Sequence, residues 1–126
     1  MNFKIDTKEK FTVITPLAPE LSANLTEELA QISVDCLQSD IKNVVVNLKN
    51  VDSIPETAAT NLLTLQQSFY ENNNSFVICE MRATVQETIE QLELFESMNV
   101  TPTESEAWDI VQMEEIEREL MNGFDE

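Results

Sequence analysis

Apolar residues change their spacing several times along the chain, and each change predicts an element. Phe3, Ile5 and Thr7 alternate with polar neighbours, as do Phe11, Val13 and Thr15. The intervening Lys8-Glu9-Lys10 predicts two strands joined by a short turn. Leu25, Leu29, Ile32 and Cys36 recur at helical spacing behind Ser22, a residue suited to capping a helix. Val44, Val45, Val46 and Leu48 form an unbroken apolar run, as expected of a strand covered on both faces. Ala58, Leu62, Leu65 and Phe69 then share one face of a helix that Asn72-Asn73-Asn74 ends. Residues 75–80 (SFVICE) predict a further strand, and Val85, Ile89, Leu92 and Phe95 a further helix. A short extended piece near Val100 and a last helix from Trp108 and Val111 complete the series.

Three helix starts carry a Ser or Thr followed three residues later by Glu: Ser53 with Glu56, Thr84 with Glu87, and Thr103 with Glu106. Each predicts a capping box, and Pro55 suits a first helical turn because an N–H there has no partner to lose. Thr57 therefore falls at the positive end of a helix dipole, where a hydroxyl is either a simple polar surface residue or a site that a phosphate could switch. Alternation of strands and helices after residue 10 predicts an α/β domain. Its mixed sheet has about four to five strands covered by about four helices, and its core includes Val44, Val46, Leu62, Phe69, Val77 and Ile89.

The stretch Val44–Leu63, VVVNLKNVDSIPETAATNLL, resembles the STAS domain, the module shared by sulfate transporters and bacterial anti-sigma factor antagonists. The family pattern runs roughly VVVDLSGVTFIDSSGLGALL and aligns without a gap. Pro19–Leu29, PELSANLTEEL, is similar to the family's GRLDAANAPEL, and the resemblance extends over roughly residues 3–112. The family's phosphorylated serine falls on Thr57. Its Asp falls on Pro55, its first Ser on Glu56, its Gly on Ala58 and its strand-end Asp on Asn47, so the DSSG motif is degenerate here. The resemblance implies a STAS-like domain over residues 1–112. It also implies a partner face made by Asp52, Ser53, Pro55, Glu56, Thr57, Thr60 and Asn61, with Thr57 as phosphate acceptor. The implied partner is an anti-sigma factor or a serine/threonine kinase-like protein. The alternative is a STAS scaffold subunit of a larger complex that is never phosphorylated.

Composition narrows the classes. The chain has 126 residues, a net charge of −17, no histidine and a single glycine, Gly123. Such acidity opposes direct binding of nucleic acid or of an anionic membrane, both of which call for clustered Lys and Arg. Residues 81–126 hold 13 of the 24 acids and 2 of the 7 basic residues, so the C-terminal third is the more acidic part. No apolar run is long enough for a membrane span, and Met1-Asn2-Phe3-Lys4 leads straight into a strand rather than a signal segment, which predicts a cytoplasmic protein. Without histidine there is no Ser-His-Asp or Cys-His site, and without internal glycines no P-loop or dinucleotide turn. Glu87, Glu90 and Glu93 read as a solvated helix face rather than as catalytic acids. Cys36 and Cys79 read as reduced core thiols. The expectation is a non-enzymatic regulatory module with no cofactor and no metal, acting as a monomer or weak homodimer.

Past residue 112 the pattern runs on as an acidic amphipathic helix over 113–126. Ile110, Met113, Ile116, Leu120 and Phe124 can share one face, with Glu114, Glu115, Glu117 and Glu119 on the others. That face either packs on its own domain or serves a partner, and the segment is expected to be separable after about Gln112.

Overall fold

A computed structural model describes residues 2–124, with side chains through Met121. The predicted place of Phe124 on a helical face, and residues 125–126 of the predicted extension, lie outside what is described. The chain forms β1 (Phe3–Thr7), β2 (Phe11–Pro16), α1 (Ala23–Cys36), β3 (Asn43–Asn47), α2 (Glu56–Glu71), β4 (Phe76–Cys79), α3 (Ala83–Gln91), β5 (Val100–Thr101) and α4 (Glu104–Phe124). A short 3-10 turn, Phe95–Ser97, lies between α3 and β5. The five strands lie side by side in chain order. β1 and β2 pair antiparallel through the turn at residues 8–10, and β2 to β5 run parallel. The α/β class and the mixed sheet therefore follow the sequence reading.

The period of two in the strands divides their side chains between two layers. Ile14, Val44, Val46, Phe76 and Ile78 face α1, α2 and α3, where they meet Leu29, Ala58, Leu62, Phe69, Val85 and Ile89. Phe69 and Phe76 meet at 5.3 Å between ring centroids. Val13, Val45, Val77, Cys79 and Phe11 face the other way, against Ala107 and Val111 of α4. All six core residues expected from the sequence are fully buried, each worth about 1.5–3 kcal/mol in apolar transfer. Cys79 points to the α4 layer, whereas Cys36 packs at the edge of the other, so the sheet separates the two free thiols. Burial raises both thiol pKa values, that of Cys79 to about 12, which keeps them protonated at neutral pH.

Two of the three predicted capping boxes do not form. Thr103 does cap α4: its hydroxyl accepts the Glu106 N–H at 3.2 Å and faces the Glu106 carboxylate at 3.2 Å. Ser22 caps α1 as expected, taking the Leu25 N–H at 3.2 Å. α3, however, starts two residues earlier than predicted, at Ala83 after Arg82, and the Thr84 hydroxyl donates to the Asp52 carbonyl at 2.7 Å. Phe95 is not on α3 either. The helix ends at Gln91, where Glu93 turns left-handed (φ 61°) and the Leu94 N–H returns to the Ile89 carbonyl at 3.1 Å.

The last helix turns part of its apolar face outward. α4 is unbroken through residues 112–113, yet Met113, Ile116 and Leu120 are 55, 55 and 58% exposed. Its inward side there is polar. Glu114 accepts from Tyr70 Oη at 2.8 Å and from Ser75 Oγ at 2.6 Å. Glu115 accepts from Asn43 Nδ2 at 2.9 Å, and Arg118 donates to Glu115 at 2.9 Å and to Ser75 Oγ at 3.1 Å. These bonds tie α4 to the start of β3 and to the residue before β4.

Candidate functional site

Parallel strands gather their C-terminal loops at one end of a sheet, and that is where the segment after β3 lies. Leu48, Val51 and Ile54 are buried and anchor this loop, leaving Asp52 and Ser53 exposed between them. Its backbone is held from two sides. The Asp52 and Ser53 N–H groups donate to the Pro19 carbonyl at 2.6 and 3.2 Å, and the Ser53 carbonyl accepts the Leu21 N–H at 3.0 Å. From the far side, Arg82 donates to the Lys49 carbonyl through Nε and to Asp52 Oδ1 through Nη1, both at 2.7 Å. Behind the loop, Asn47 joins β3 to the start of α4 by donating to Glu104 Oε1 at 3.0 Å, and its own Oδ1 accepts the Lys49 N–H at 3.0 Å.

This clamping displaces the expected cap. Ser53 is drawn into a bridge with Glu20, and the residue immediately before α2 is Pro55, extended at ψ 163° and without a side chain to offer. The N-terminus of α2 therefore has no side-chain cap. No side chain caps its first N–H groups, which lie at the positive end of a 16-residue helix, with Glu56 the one acid in the first turn. Pro55 stands one place before the first turn instead of within it. Thr57 is the second helical residue and is exposed, as are Thr60 and Asn61 a turn later. The adjacent Ala58 and Ala59 are fully buried, so the backbone under Thr57 is fixed by core packing while its hydroxyl is free to the surface.

Asp52, Ser53, Pro55, Glu56, Thr57, Thr60 and Asn61 thus form one surface, the clamped loop followed by the outward side of a helix start. Sequence reasoning missed Arg82, the cation that fixes Asp52. It stands 30 positions away and is legible only once β4 is known to lie beside β3, which brings the two strand ends together. Among the described residues there is no group of three or more His, Cys, Asp or Glu placed to hold a metal ion. No described helix is long and apolar enough to cross a membrane.

Comparison with known proteins bears on most of the chain. A family model for the STAS domain matches residues 2–107. None of the curated proteins matches the sequence significantly. Among solved structures, the chain is similar to a Thermotoga maritima protein assigned as an anti-sigma factor antagonist, with 17% identity and a TM-score of 0.77 over 87% of this chain and 94% of that one. An anti-sigma-factor antagonist domain protein of Planctomyces limnophilus gives 18% and 0.73 over 87% and 97%. The unphosphorylated anti-sigma factor antagonist SpoIIAA gives 20% and 0.69 over 87% and 96%. At these identities the structural likeness establishes the fold.

Proposed function

The chain belongs to the STAS domain family, and from that membership we propose that it is a non-enzymatic partner-switching protein of the anti-sigma factor antagonist kind. Its partner is an anti-sigma factor or a serine/threonine kinase-like protein, met in the cytoplasm on the surface Asp52–Asn61, and phosphorylation of Thr57 releases it. The observation that carries this reading is the exposed Thr57 hydroxyl on the uncapped first turn of α2, beside a loop pinned by Pro19 and Arg82. A partner meets a preformed surface there, which lowers the ordering cost of binding. A phosphate on Thr57 would be tolerated locally by the free N–H groups of the helix start. Its damage would fall on the complex, where about −1.5 to −2 of charge meets a packed, desolvated interface.

A second reading is favoured by the motif itself. Pro55, Glu56 and Ala58 replace the family's Asp, Ser and Gly, and Glu56 already sets a carboxylate beside Thr57. On that reading the domain is a constitutive scaffold subunit. The two are separated by incubating the purified chain with its cognate kinase and ATP, and by measuring partner binding of Thr57→Ala and Thr57→Glu calorimetrically. The switch predicts phosphothreonine at residue 57, wild-type binding by Thr57→Ala, and at least about tenfold weaker binding by Thr57→Glu with little change in melting temperature. An unmodified Thr57 together with normal binding by Thr57→Glu would leave the scaffold.

A further inference from the structure

The second half of α4 is turned inside out. Between residues 113 and 121 the side chains directed at the domain are Glu114, Glu115 and Arg118, each half-buried and hydrogen-bonded to Tyr70, Ser75 or Asn43. Those directed at solvent are Met113, Ile116 and Leu120. At about 100° per residue, Met113, Ile116 and Leu120 fall within about 60° of one another, on the side away from Val111 and Arg118. Scattered exposed apolar residues are ordinary, but three in register over two turns make a continuous seam.

The seam has the spacing of a coiled-coil stripe. Met113, Ile116 and Leu120 recur at three and four residues, as do the a, d and a positions of a heptad. On that register Glu117 and Glu119 occupy the flanking e and g positions, which set partner choice by charge. Asp109 and Glu106 continue the acidic surface toward the helix start, and both are exposed. The sole basic residue of α4, Arg118, is folded inward onto Glu115, so it neutralises none of them. A second copy of this chain would set acid against acid along both flanks, and an anionic lipid surface would be repelled in the same way.

We propose that the outer face of α4, built on Met113, Ile116 and Leu120 and bordered by Glu117 and Glu119, docks an amphipathic helix of another protein whose apolar stripe is bordered by Lys and Arg. The seam is carried by the helix that covers the sheet layer opposite α2, so this interaction is independent of the surface around Thr57. Its contacts are of the helix-against-helix kind, with apolar anchors giving affinity and the flanking charges giving selectivity and on-rate.

The test uses the full chain and two synthetic helical peptides of about three heptads. Both carry Leu at a and d; one has Lys at e and g, the other Glu. The Lys peptide should bind the wild-type chain at least about tenfold more tightly than the Glu peptide and weaken as salt is raised. Its NMR footprint should centre on residues 113–121. Ile116→Ser combined with Leu120→Ser should lose at least about tenfold in affinity without lowering the melting temperature, since both side chains are exposed. Thr57→Glu should bind the Lys peptide as wild type does. Equal binding of the two peptides, or binding of the Lys peptide by the double variant as tightly as by wild type, would overturn the proposal. So would a wild-type dimer that the double variant converts to monomer, which would make a second copy the occupant.

Discussion

Glu115 shows how a residue that reads as surface charge becomes structural. Its carboxylate accepts from Asn43 and from Arg118, and these bonds, Asn43 first, hold its pKa below the ordinary value of 4.5. A depressed folded-state pKa stabilises the fold above the ordinary value, and that contribution is lost as pH falls through the lowered one. Glu115→Gln should therefore melt below wild type at neutral pH, and the gap should close as pH is taken below 4.5. Parallel melts across the acid range would show it; a gap constant with pH would mean that shape and not charge is what the site requires. Nothing local in the sequence marks this residue. Asn43, its main partner, is 72 positions away, and periodicity along α4 reports only which residues share a face, not which face turns inward. The same limit hid the roles of Glu114 and Arg118, whereas Val44, Val46 and Phe69 were legible because unbroken or helically spaced apolar residues have few other places to go.

Among the elements, the strands and helices follow the apolar pattern closely, and the departures cluster at ends. Ser53 and Thr84 have the residue type and spacing of caps, but tertiary contacts place both elsewhere: the Ser53 backbone is held in a bridge to Glu20 two residues before the helix cap at Pro55, and the Thr84 hydroxyl is taken by the Asp52 carbonyl. Thr103, with no such competitor, caps as its spacing says. α2 and α3 end without glycine. Asn73 closes α2 at φ 62° and Glu93 closes α3 at φ 61°, and only the first is a residue that favours the left-handed region. Glu93→Gly should therefore stabilise the domain by about 0.5–1 kcal/mol, the steric relief exceeding the extra chain entropy of glycine. Chemical denaturation would measure it, and a loss of stability would show that the exposed Glu93 carboxylate makes a contribution larger than the strain.

At the scale of the molecule, the sheet has three helices on one layer and one on the other, and α4 carries that second layer alone. Its first half supplies Ala107, Trp108 and Val111, with Trp108 lying 5.3 Å from the Phe11 ring under the Lys8 ammonium. Its second half supplies hydrogen bonds and the exposed seam. We therefore expect a chain ending at Gln112 to remain folded but to lose about 2–4 kcal/mol, the worth of a few charge-assisted bonds. A cooperative urea transition at lower midpoint would show it, and a molten or aggregated product would place residues 113–121 within the domain's minimal core. The boundary drawn from sequence near residue 112 thus becomes a question of degree, because the helix itself does not break there. The side-by-side order of the strands also shapes how the protein is made. Each strand can pair with one already synthesised, and α1, α2 and α3 can cover their layer as they emerge. Phe11, Val13, Val45 and Val77 must wait for α4, so a nascent chain stalled before residue 111 carries a bare, sticky sheet face. During translation, that makes the arrival of α4 the point at which an aggregation-prone sheet face is covered.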